Sequence, residues 1–126
     1  MSNEKRSASG ALIRNVVETP WQQFPGHFGG ALSKPLVRPE TAGSRLVDYR
    51  ISTYQPMAYV ETHSHKVQEQ IYHVLEGEGA MQIEGKQTIV RKHDVIFIPP
   101  GVAHSICNNG LTELTFIVVT TPVEDK

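Results

Sequence analysis

Apolar and polar residues alternate in short runs along most of this chain, and no stretch sustains the 3.6-residue apolar period of an amphipathic helix. Eight runs read as strands. LVDYRIST (46–53), AYVETHSH (58–65), QIYHVLEG (70–77) and AMQIEG (80–85) follow in quick succession, and KQTIVR (86–91), DVIFIP (94–99), AHSICN (103–108) and ELTFIVVT (113–120) complete the set. Between them stand residues that favour chain reversal: Glu76-Gly77, Glu84-Gly85, Pro99-Pro100-Gly101 and Asn108-Asn109-Gly110. Short strands at even spacing with Gly- and Pro-rich turns predict an all-β sandwich or barrel. Residues 1–10 are small and charged and are expected to be disordered, or ordered only against a partner. The segment WQQFPGHFGG (21–30) is too rich in Gly and Pro for a helix and reads as irregular covering. The chain therefore divides into an N-terminal extension with covering strands (1–45), a barrel core (46–121) and a short tail (122–126).

A length of 126 residues suits one domain with its own core, without an internal repeat. The formal net charge of −1 provides no electrostatic footprint for nucleic acid or a membrane surface, so neither is an expected partner. No apolar run is long enough to cross a bilayer. The start, MSNEKRSASG, lacks the apolar middle of a secretory signal. The lone Cys107 excludes an internal disulfide and fits a reducing compartment, so a cytoplasmic location is expected.

The candidate chemistry lies in ETHSHKVQEQIYHVLEGEG (61–79). Residues i and i+2 of a strand share a face about 6.5–7 Å apart. If His63 and His65 lie on a strand, their imidazoles can lean toward one ion at about 2.0–2.1 Å per bond. H-x-H alone is equally compatible with surface histidines; it becomes specific when a second strand brings further ligands. The segment PPGVAHSICN supplies one, because His104 opens a new strand after the Pro99-Pro100-Gly101 turn.

Together the two segments resemble the motifs of the cupin family. His63, His65, Gln70 and Gly77 occupy the places of its first motif, and His93, Pro99, Gly101, His104 and Asn108 those of its second. The resemblance spans about residues 46–121. It implies a double-stranded β-helix (jelly-roll, cupin barrel) and one divalent transition metal per chain (Zn, Ni, Fe, Cu or Mn), held by His63, His65, Gln70 and His104. Three departures stand out. Met57 and His93 replace the glycines that often open the two motifs, which suggests turns built without the usual left-handed residue. Gln70 replaces the usual glutamate. Glu69 offers a carboxylate one place earlier, and a one-residue shift sends a side chain to the opposite face, so the apolar pattern leaves both open. The family spacing, with six residues between this position and Gly77, selects Gln70, and a glutamine here also resembles the cupins that open unsaturated uronates in pectin breakdown.

With three neutral imidazoles and a neutral amide, the full +2 charge of a metal is uncompensated, so a small anionic molecule is the expected ligand. Arg50 and Arg45, read as lying on the strand before the first motif, are candidates for binding a substrate carboxylate, against the plainer reading of exposed arginines. Tyr72 shares the inward face with Gln70, as a packed aromatic or an active-site acid. His73 faces away; His27 reads as a solvated loop residue, against a reach to the pocket mouth, His93 as a turn residue, and Cys107 as a buried inert thiol. The expected function is a metal-dependent enzyme acting on a small oxygenated carboxylate or phenolic compound, of dioxygenase, isomerase or lyase type. The alternatives are a non-catalytic binding or sensing module, and a metal-free structural cupin. A homodimer is also expected, with strand exchange through Lys34 to Arg38 as one route.

Overall fold

The computed structural model describes residues 5–126. In chain order its strands are β1 (Lys5–Arg6), β2 (Leu12–Ile13), β3 (His27–Phe28), β4 (Ala31–Val37), β5 (Asp48–Tyr54) and β6 (Tyr59–Val60). They continue with β7 (Glu69–Glu76), β8 (Glu78–Ile83), β9 (Lys86–Arg91), β10 (Val95–Ile98), β11 (His104–Cys107) and β12 (Leu114–Thr121). A 3-10 turn (Val16–Glu18) and a short helix, α1 (Pro39–Ala42), are the helical pieces among the described residues. Two five-stranded antiparallel sheets, ordered β10-β7-β12-β5-β4 and β3-β6-β11-β8-β9, face each other as a double-stranded β-helix. No helix among the described residues is long and apolar enough to cross a membrane.

The inward positions follow the period of two. On β7, Gln70, Tyr72 and Val74 are buried while Glu69, Ile71 and His73 are exposed. On β12, Leu114, Phe116, Val118 and Thr120 are buried. Their order along each strand grades the interior from dry to polar. Val74 and Leu114 lie at one end with Met81 and Ile106, and Gln70, Thr120 and His104 lie toward the other. Fully burying a side chain such as Leu114 or Phe116 contributes roughly 2–3 kcal/mol, so the packed end holds the sandwich and leaves the polar end for a cavity.

Several boundaries differ from the sequence reading. Residues 5–13 form a hairpin, with Lys5 opposite Ile13 and Arg6 opposite Leu12, where disorder was expected; residues 1–4 lie outside the described residues. The run at 46–53 becomes a strand only at Asp48, and Arg45 sits exposed in the preceding loop instead of on it. The run at 58–65 stops being a strand after Val60. Beyond Val60 there is no apolar alternation to bury, and the backbone pairs again only at a single bridge between His63 and His104. Within the single chain, β4 pairs with β5, Lys34 opposite Ile51 and Pro35 opposite Arg50. Proline cannot donate to a ladder, and β4 lies at the edge of its sheet, where that loss is tolerated.

Met57 and His93 keep the left-handed backbone without glycine, at φ 75° and 79°. The turns have the shape that glycine would give, at the cost of strain on an L-residue. Asn108, completely buried, accounts for its place in the second motif. Its Nδ2 donates to the carbonyls of Tyr54 and Thr112, each at 2.8 Å, and its Oδ1 accepts from Gly110 N at 2.9 Å.

Candidate metal centre

The bridge between His63 and His104 brings the two motifs together. His63 N donates to His104 O at 3.0 Å and His104 N to His63 O at 2.9 Å, and Gly101 N donates to His65 O at 2.7 Å. The H-x-H pair is thus hung on the start of β11 and the turn before it, not on a continuous strand. Ring centroids lie 5.1 Å apart for His63 and His65, 4.3 Å for His63 and His104, and 5.5 Å for His65 and His104. One nitrogen from each ring falls within 4.8 Å of the other two.

The opposite ring nitrogens fix which nitrogen faces inward. His63 Nδ1–H donates to Glu61 O at 2.7 Å, and His104 Nδ1–H to Val102 O at 2.8 Å. His65 Nδ1 lies 3.9 Å from the Asp125 carboxylate, and its Nε2 is buried with no hydrogen-bond partner. An imidazole whose Nδ1 carries the proton has a bare lone pair on Nε2. Burial, and then the neighbouring His63 and His65, hold His104 down to about 4. Burial first, then His63, also lowers His65. His65 and His104 are thereby biased toward the neutral form, the one that ligates a metal.

Gln70 is buried on the same face. Its Oε1 lies 2.9 Å from His104 Nε2, and its Nε2 donates to Thr120 Oγ1 at 3.0 Å. An orphaned buried nitrogen on His65, two rings tethered outward through Nδ1 and the convergence of all three fit a divalent metal, with His63, His65 and His104 as donors. Glu69, on the other face of β7, is exposed.

A cavity of about 550 Å³ opens beside these rings. Tyr72 lines it, stacked on Phe116 at 5.7 Å and with its hydroxyl 3.5 Å from Gln70 Oε1. Burial raises the Tyr72 phenol well above its ordinary value, so its O–H remains a donor. Arg50 also lines the cavity, but Asp48 already engages its guanidinium: Nε donates to Oδ1 at 3.0 Å and Nη2 to Oδ2 at 2.7 Å. The guanidinium sits 4.7 Å over the Phe24 ring. Arg45 does not line the cavity.

Two expectations are corrected here. His27 is not a solvated loop residue. β3 pairs it with Val60, and it is half-buried on the cavity wall, edge-on to Tyr54 at 6.3 Å. Burial first lowers its pKa. Cys107 is half-buried instead of buried, and lines a separate shallow groove with Met57 and Tyr59. Sequence reasoning missed Asp48 and Asp125. Asp48 carried a signal, two places from Arg50 on one strand face; Asp125 carried none, because its contacts lie 57–59 residues away.

The family model described as a Cupin domain matches residues 50–120. The chain is 39% identical over 116 residues to the oxalate-binding protein of Thermotoga maritima, spanning 90% of this chain and 96% of that one. Among solved structures, it is similar to a predicted oxalate decarboxylase from Thermotoga maritima, with TM-score 0.77 and 27% identity over 86% of this chain and 96% of that one. It also shares its fold with the polyketide cyclase RemF from Streptomyces resistomycificus, with TM-score 0.76 and 22% identity over 87% and 78% of the two chains. With both motifs converging on one cavity and a family model matching more than half its length, this chain belongs to the cupin family.

Proposed function

We propose that the chain binds one divalent transition metal through His63, His65, His104 and Gln70, and uses it to act on a small dicarboxylate of the oxalate class. The observation that carries this reading is the shared arrangement of the three imidazoles. His63 and His104 each donate Nδ1–H to a backbone carbonyl outside the site, His65 has Nδ1 on the side of Asp125 at 3.9 Å, and one nitrogen of each ring lies within 4.8 Å of the other two. The charge balance of the cavity supports an anionic ligand. Arg38 and Arg50 are offset by Asp48 and Glu61, so the +2 of a metal is left for an anion. The relative named for oxalate binding supports the choice of oxalate.

A bound divalent metal supplies Lewis-acid polarisation of a carboxylate or carbonyl, or oxygen activation where it is iron or copper. The chain's own residues do the rest. Gln70 contributes a neutral oxygen whose orientation Thr120 holds. Tyr72, kept protonated by burial, directs its O–H toward Gln70 Oε1 on the cavity wall. Arg50 offers Nη1 and its charge to a ligand, while Asp48 holds the guanidinium in place.

The second reading, a binding module without turnover, is favoured by the same relative, which is named for binding alone. Elemental analysis of protein purified without added metal tests the first step: about one equivalent of transition metal is expected, and none after His63→Ala with His65→Ala. Unchanged metal content in the double variant would sink the assignment. Calorimetry with oxalate, followed by assay for its consumption, separates the two readings. Binding without consumption favours the module, and absence of binding by the metal-loaded chain refutes the substrate class.

The outward face of the β10-β7-β12-β5-β4 sheet further supports a homodimer. Phe97 and Ile71 are cross-strand partners there, 54% and 42% exposed, beside Val95 at 62%. Such an apolar sheet face is suited to covering by a second copy.

A further inference from the structure

The loop that carries His65 has little backbone structure of its own. Between His65 and the start of β7, the N–H groups of Lys66, Val67 and Gln68 point at one acceptor, the side chain of Asp125. Lys66 N and Val67 N donate to its two oxygens at 2.9 and 2.8 Å, and Gln68 N adds a longer bond of 3.3 Å. The clamp is reciprocal, because Gln68 Nε2 donates to Pro122 O at 3.0 Å and to Val123 O at 3.3 Å. The Asp125 oxygen that accepts from Lys66 N also lies 3.9 Å from His65 Nδ1, on the ring edge opposite the buried Nε2. His63 and His104 have backbone carbonyls against Nδ1, supplied by their own neighbours Glu61 and Val102. His65 has a carboxylate from the far end of the fold instead.

We infer that Asp125 is a positioning residue of the metal centre: it anchors the 66–68 loop and turns His65 so that Nε2, not Nδ1, faces the cavity. The inference rests on the metal reading above. Three successive N–H groups converging on one carboxylate fix the path of the backbone between two proposed ligands, His65 and Gln70. The same negative charge favours the proton on His65 Nδ1, and so the lone pair on Nε2. A carboxylate outside the ligand set also strengthens the imidazole as a donor. The segment after β12, which the sequence presents as a tail, thereby becomes part of the site.

The test uses the full chain, stripped of metal, with Co²⁺ as the probe. Asp125→Ala is expected to weaken Co²⁺ binding about 10- to 100-fold and to alter the visible spectrum of the bound ion. Asp125→Asn keeps an oxygen for the loop N–H groups but lacks the charge, so its affinity should fall between wild type and Asp125→Ala. A second readout needs no metal. Nitrogen-15 NMR of labelled histidines should show His65 as the Nδ1–H tautomer in wild type and displaced toward Nε2–H in both variants, with His63 and His104 unchanged. Loss of stability alone, from a merely structural tail, would not move one tautomer selectively. If Asp125→Ala fails to fold, Asp125→Asn carries both measurements. Wild-type affinity together with an unchanged His65 tautomer in the variants overturns the inference alone. Failure of the wild-type chain to bind Co²⁺ overturns the metal reading, and with it the role of Asp125 toward a metal.

Discussion

Replacing Gln70 by glutamate tests the charge logic of the centre with little change in shape. Oε1 of Gln70 lies 2.9 Å from His104 Nε2, and Thr120 Oγ1 sits 3.0 Å from the amide nitrogen. A carboxylate fits the same space, because the Thr120 hydroxyl can rotate and donate to the new oxygen. Gln70→Glu should therefore retain the metal. Its effect should fall on anionic ligands, since the centre drops from a net charge of about +2 to about +1. A unit charge at about 4 Å and an effective dielectric of about 20 is worth roughly 4 kcal/mol, close to three powers of ten in affinity. Solvent entering the open cavity reduces this, so oxalate should bind metal-loaded Gln70→Glu ten- to a thousand-fold more weakly than wild type. Calorimetry on both loaded proteins reads the difference, with Glu69→Gln as the control because that side chain is exposed on the opposite face. Equal oxalate affinities with full metal occupancy in both would refute the reasoning. Loss of metal in Glu69→Gln would overturn the ligand assignment itself.

Met57 is 84% exposed at φ 75°, so Met57→Gly should relieve left-handed strain at little packing loss and stabilise by up to about 1 kcal/mol, as should His93→Gly; an unfolding midpoint lowered by both would contradict this. Gly77 has φ 79° and a Cβ there would meet Glu113 O and Leu114 Cα, so Gly77→Ala should destabilise by about 3 kcal/mol or more, which urea unfolding would show. His104 is neutral in the fold down to about 4 but takes a proton in the unfolded chain below about 6.5. The metal-free chain should thus lose stability as the pH falls from about 6.5 toward about 4; equal urea midpoints at pH 7.5 and 5 would exclude this. Light scattering at micromolar concentration should give a dimer mass for wild type and a monomer mass for Phe97→Asp.

The alternation of apolar and polar residues carried the all-β architecture, because a period of two is a local property of the backbone that any tertiary arrangement must respect. It also put Gln70 and Tyr72 on one face of β7 and Glu69 and His73 on the other, once the family spacing chose between the two. His63, His65 and His104 were legible because each motif is compact in sequence. Tertiary structure decided what holds those residues. The strand expected through His65 ends at Val60, and the pair hangs instead from a bridge to His104. The Nε and Nη2 of Arg50 are held by Asp48, which projects beside it. His27 reaches the cavity only through the β3–β6 pairing. Asp125 contacts residues 57–59 positions earlier, a closure that no local periodicity encodes. Side-chain partners across the sandwich depend on how two sheets twist and stack, and that is set by the packing of the whole interior, not by any one segment.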